Sequence, residues 1–151
     1  MILSKLEKSE EPLQENELSK VTKKLDKVYL QLADLYLVAN KAVQCRQILQ
    51  LLESRLERLS NSHEYSYRMM NELANILHRH RRMDLALIYY KKALLCMKRR
   101  HKNKYLDHAE TAKIIINMAT VYFMLENLPE SLKHHHHASD VLNRVLGRIK
   151  S

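Results

Sequence analysis

Four consecutive histidines, His134, His135, His136 and His137, form the densest group of metal-capable side chains in the sequence. They fall in a stretch with helical spacing. Successive residues there point about 100° apart, so four neighbours cannot share one ion. His134 and His137, three apart, lie on one face and could hold one together. Zinc asks for a third or fourth ligand, and Cys45 and Cys96 belong to other parts of the chain. No metal is therefore expected. His135 reads as packed and the others as solvated near Asp140. The two cysteines are isolated among apolar neighbours on helical patterns. They read as buried, reduced thiols of a cytoplasmic or nuclear protein.

Bond-making chemistry has no framework here. Gly147 is the one glycine, so there is no glycine-rich phosphate loop, and neither G-x-S-x-G nor H-E-x-x-H occurs. No acidic pair stands where helical spacing would press it together. Neither an enzyme nor a cofactor is expected.

Charge says more. The net charge is +9, and residues 61–104 hold eleven Lys and Arg against Glu64, Glu72 and Asp84. That middle region is where an acidic partner would be met. Two clusters stand out: His78, Arg79, His80, Arg81 and Arg82, then Lys98, Arg99, Arg100, Lys102 and Lys104. With Tyr65, Tyr67 and Tyr105 as stacking surfaces, they make RNA or DNA binding the second reading. Against it, the clusters fall at opposite ends of a helix, about 27 Å apart for eighteen residues, so one phosphate track does not touch both.

These residues must be positioned by helices. One Gly and two Pro leave little turn chemistry for strands, while Leu, Ala, Lys, Arg and Glu dominate. No apolar run approaches eighteen residues, so no membrane span is expected, and the opening MILSKLEKSEEP is too weakly apolar for a signal peptide. Residues 1–20 are polar, with a net charge of −2, and read as a disordered or fraying arm. Residues 21–151 read as one helical domain. The spacing predicts helices over about 18–38, 42–59, 63–80, 83–100, 108–125 and from Pro129 to near Gly147. Ser60, Asn61 and Ser62 supply a break and capping hydroxyls, Asp107 a further cap, and HKNKYLD a loop.

The six helices fall into three pairs with one pattern. Leu32, Ala33, Tyr36, Cys45, Leu49 and Leu52 share their spacing with Leu73, Ala74, Leu77, Ala86, Tyr90 and Ala93. Met118, Ala119, Tyr122, Ser131, His135 and Ala138 repeat it again. Self-similarity at this period means an all-α helical-hairpin solenoid of three repeats, approximately 22–60, 63–102 and 107–148. At these residues the chain resembles the tetratricopeptide repeat family over 22–146, with Tyr29, Met70 and Ile115 at its first large position. The Asn residues in NELANIL and INMATVY (Asn71 and Asn117) and the ending RVLG look like the kinesin-light-chain type. Departures are the missing Pro at repeat ends, His135 in place of a large apolar residue, and Cys45 and Ser131 in place of Ala.

The resemblance implies a right-handed solenoid whose first helices line a concave groove, serving as a non-catalytic adaptor or scaffold. One turn from the packing face stand Lys27, Leu30, Asp34 and Leu37, then Arg68, Asn71, Asn75 and His78, then Lys113, Ile116, Asn117, Thr120 and Phe123. Asn71 and Asn75, four apart, offer amides to an extended peptide backbone. Leu30, Leu37, Ile116 and Phe123 offer apolar contacts, and Lys27, Arg68 and Lys113 offer charge for an acidic segment. Of the paired Lys and Asn with which some relatives hold a terminal carboxylate, only Lys113 stands suitably and Glu72 opposes it, so a chaperone co-factor role is not expected. Val141, Leu142, Val145, Leu146 and Ile149 continue an apolar stripe to the chain end. It is expected to meet a partner or a second copy, the alternatives being that the face packs inward or that it continues into a longer protein.

Overall fold

A computed structural model of the chain describes residues 14–58 and 63–150. These residues form six α-helices: α1 Glu15–Val38, α2 Ala42–Arg58, α3 His63–Arg79, α4 Met83–His101, α5 Ala109–Met124 and α6 Leu128–Lys150. A 3-10 segment, Lys102–Asp107, links α4 to α5 where a loop is expected, and no strand occurs among the described residues. The first helix starts at Glu15, so the last six residues of the polar arm are helical. Gln14 precedes it in extended backbone, while residues 1–13 of the arm and the break at Ser60, Asn61 and Ser62 lie outside the described residues.

The three hairpins turn by one repeated device. Two residues past the end of each first helix stands a residue with positive φ: Asn40 at 59°, Arg81 at 61° and Glu126 at 62°. The residue after each donates its N–H back five positions: Lys41 to Tyr36 O, Arg82 to Leu77 O and Asn127 to Tyr122 O, all at 2.8 Å. The left-handed residue reverses the chain, and the backward bond satisfies a carbonyl the helix end would otherwise leave open. The next helix then opens with Cys45, Ala86 and Ser131 donating to Lys41, Arg82 and Asn127. The repeat is thus carried by the backbone as well as by side-chain spacing, and the fold is an all-α solenoid of helical hairpins.

Inside each hairpin the small residues sit at the contact. Ala33, Ala74 and Ala119 are wholly buried, as are Ala86 and Ala93, and with no side chain beyond Cβ they let the two helices close. The two departures from Ala find work here. Cys45 Sγ donates to the Ala33 carbonyl at 3.8 Å, and Ser131 Oγ to the Ala119 carbonyl at 2.8 Å. One core runs through the first two hairpins into Ile114, Met118 and Val121 of α5, with Leu52, Leu73, Leu77 and Tyr90 at its centre. A smaller core of Ala112, Ile115, Ala138 and Val141 closes the third hairpin, with Leu94 and Leu106 against it.

Charged pairs fasten the elements where apolar contact ends. Arg55 of α2 reaches Asp26 of α1 at 2.5 Å, and Asp26 is wholly buried. Lys92 of α4 pairs with Glu53 of α2. Asp107 does not cap α5: His108 precedes that helix, and Asp107 faces Arg144 and Arg148 of α6 at 3.7 Å each. That pairing lies on both sides of Gly147, which does not end the last helix. A mid-helix glycine costs only about 1 kcal/mol, and α6 continues to Lys150.

Candidate functional site

The first helices α1 and α3 approach side by side and leave a groove of about 790 Å³ between them. Its floor is apolar, from the buried Leu30, Met69 and Ile76. Its walls are charged: Lys23 and Lys27 from α1, Arg68 and Arg79 from α3, against Asp34 and Glu72. Four cations to two carboxylates give the groove a net positive field. Asp34 is further committed at one end, where its oxygens meet His80 Nε2 at 2.5 Å and an Arg79 nitrogen at 3.4 Å.

The structure brings Lys27, Leu30, Asp34, Arg68 and Asn75 together in this groove. Leu30 is floor rather than an open apolar contact, being buried. Leu37 is not in it. Leu37 packs against the main core and borders a second cavity of about 320 Å³ with Cys45, Leu49, Leu77, Arg82 and Tyr89. On α5, Lys113 and Ile116 are exposed, Thr120 bonds its own helix at Ile116 O, and Phe123 is exposed near the helix end. Lys23, Gln31, Met69, Glu72, Ile76 and Arg79 are groove residues that sequence spacing left out. Lys23 and Arg79 lie one helical turn beyond Lys27 and Asn75, so extending the same face would have found both.

The asparagines are engaged differently from a free amide clamp. Asn75 Oδ1 accepts from Tyr90 Oη at 2.6 Å and from Asn117 Nδ2 at 3.4 Å. Since the Tyr90 proton goes to Asn75, the Tyr90 oxygen accepts from His78 Nδ1–H, 3.2 Å away, which fixes the His78 tautomer. His78, Tyr90, Asn75 and Asn117 thus form one polar seam across α3, α4 and α5. Burial lifts the Tyr90 phenol to about 12 and pushes the His78 imidazole below its ordinary range. Asn71 is half-buried, and its Oδ1 is buried with no hydrogen-bond partner.

Other sequence expectations also move. His134, not His135, is the packed histidine: its ring lies 4.9 Å from Tyr122 and its Nδ1 is 2.7 Å from Glu130 O. His135 is exposed. It stands where Leu49 and Tyr90 are closed over by the neighbouring hairpin, and among the described residues no hairpin packs on α6 there. No cluster of three metal-capable side chains occurs among the described residues. Of the proposed stacking aromatics, Tyr67 is buried and donates to Glu110, while Tyr105 is half-buried with Lys98 over its ring at 5.4 Å. The Tyr65 side chain lies outside those described. The cysteines are unpaired, Cys45 buried and Cys96 half-buried. No described helix is long and apolar enough to cross a membrane.

Helical hairpins nested through small residues, with first helices bordering a charged groove, define a helical-repeat protein. In agreement, residues 111–149, which take in most of α5 and α6, match the family model for the tetratricopeptide repeat. That match supports the tetratricopeptide repeat family, whose repeats suggest a module for protein–protein interaction. No curated protein and no solved structure matched the chain.

Proposed function

We propose that this chain is a non-catalytic adaptor or scaffold that holds an extended acidic segment of a partner protein in the α1–α3 groove. The observation that carries this is the excess of Lys23, Lys27, Arg68 and Arg79 over Asp34 and Glu72 around an apolar floor. An extended peptide could lay alternate apolar side chains on Leu30, Met69 and Ile76 and alternate carboxylates against the cations. Asn75 supports the wall through the polar seam more than it grips a ligand with its oxygen. Within the family, the kinesin-light-chain type is the finer reading, resting on Asn71, Asn117 and the RVLG ending.

An arrayed library of acidic and neutral peptides, probed with the chain and with a Lys27→Glu/Arg68→Glu variant, tests it. Acidic peptides should bind the native chain, with binding lost in the variant while the circular dichroism is unchanged. Equal binding by both chains would refute the groove. A single-stranded RNA included in the array tests the second reading. RNA capture that falls steeply with salt and depends on Lys98, Arg99, Arg100, Lys102 and Lys104 would favour nucleic acid instead. The engagement of Tyr67 and Tyr105 inside the fold speaks for the peptide.

A further inference from the structure

The two end helices expose the very faces by which the inner hairpins hold one another. On α1 the face is Leu25, Val28, Leu32 and Leu35. Two repeats on, 86 residues later, the same register positions are Thr111, Ile114, Met118 and Val121 of α5, all buried, the last three in the core that α5 shares with α4. On α1, Leu25 and Val28 are exposed and Leu35 is 62% exposed. The α6 helix carries the other half. Leu132, His135, Ser139, Leu142 and Leu146 lie 45 residues after Leu87, Tyr90, Leu94, Met97 and His101 of α4, where Tyr90 and Met97 are buried. All five are exposed on α6, Leu132 at 61% and Leu146 at 49%. The expected apolar stripe therefore divides, with Val141 turned into the small core and Leu142 and Leu146 turned outward.

We propose that copies of this chain stack head to tail, the α6 face of one seated on the α1 face of the next. The chain's own α4–α5 junction already seats a face of the α6 register on a face of the α1 register, so a second copy fits there. The alternating three- and four-residue spacing on both helices is the spacing that lets ridges of one enter grooves of the other. Where α4 offers Tyr90 and Leu94, α6 offers the more polar His135 and Ser139, so the contact is weaker than the internal one and reversible. Because the two faces differ, the contact is heterologous, and each added copy leaves one face of each kind open to another unless the rotation closes a ring. Rows of copies result, longer as concentration rises.

Sedimentation velocity of the whole chain over a range of concentrations tests this with two variants, Leu35→Glu on α1 and Leu146→Glu on α6. The native chain should gain mass with concentration past two copies. Each variant alone should stay a monomer with native circular dichroism, and an equimolar mixture should stop at two copies, since one intact face of each kind remains. A native chain that is monomeric throughout would overturn the proposal. So would an L35E chain that still dimerises, which would mean α6 pairs with α6, or a mixture that stays monomeric. Should L146E lose helix, Leu132→Glu on the same face replaces it.

Discussion

The repeated turn makes a prediction that the chain can check against itself. Asn40, Arg81 and Glu126 hold the same left-handed conformation at the same register position. A side chain beyond Gly pays about 1–2 kcal/mol there, because Cβ crowds the following carbonyl oxygen, and Asn pays least. Replacing Glu126 by Gly removes that strain but raises the entropy of the unfolded chain, a loss of about 0.5–1 kcal/mol. The balance is a gain of about 0.5–1 kcal/mol for Glu126→Gly and close to zero for Asn40→Gly. At this chain length the larger figure raises Tm by about 3 °C. Both side chains are exposed, so lost packing does not obscure the comparison. The assay is urea unfolding, read as a shift in midpoint at unchanged slope, with Glu126→Ala as a control that keeps Cβ and should stay within about 0.5 kcal/mol. If Glu126→Gly destabilises, or if Asn40→Gly gains as much, left-handed strain is not what distinguishes these turns.

Three other perturbations reach different parts of the reasoning. Ala74 is wholly buried at the α3–α4 contact, so Ala74→Leu should cost about 1–3 kcal/mol by overpacking, and an unchanged thermal melt would contradict the register. Arg55→Leu leaves the buried Asp26 without its guanidinium and should cost about 3 kcal/mol, while Asp26→Leu/Arg55→Leu recovers most of it. A double-mutant cycle showing simple additivity would argue against that coupling. For His78 the folded value lies below the unfolded one near 6.5, with burial as the cause. Its contribution is therefore complete above that value and is lost as pH falls through the folded one. The urea midpoint should drop more between about pH 7 and about pH 5 for the native chain than for His78→Gln, and equal drops would remove His78 from the account.

Much of the fold is legible in the chain because the hairpins repeat. Ala33, Ala74 and Ala119 recur beside large residues at fixed spacing, and that pattern has one economical solution in three dimensions. The groove is legible only in part, since spacing gives the face of a helix but not what a neighbouring helix sends across to it. Tyr90 lies on α4, and nothing local to Asn75 announces that its oxygen receives the Tyr90 proton. Asp26 looks like a surface carboxylate until Arg55, from the next helix, is seen beside it. Local rules mislead where tertiary pairing intervenes. Asp107 has the chemistry of a helix cap but is claimed by Arg144 and Arg148, and Gly147 has the chemistry of a helix end but lies between them. His135 follows the internal spacing of a packed residue, yet on α6 there is no neighbouring hairpin among the described residues to cover it.

The thiol that bonds across the first hairpin equips the molecule with its own stability gauge. Cys45 donates its S–H to the Ala33 carbonyl, and burial pushes its pKa up, as it does for Cys96 on α4. Both sulfurs should therefore alkylate slowly while the helices stay closed, because only the thiolate reacts. In a solenoid each hairpin leans on its neighbours, so opening need not be uniform along the stack. The relative trapping rates of the two sulfurs would time the separation of the first hairpin against that of the second, with no cysteine added to the chain.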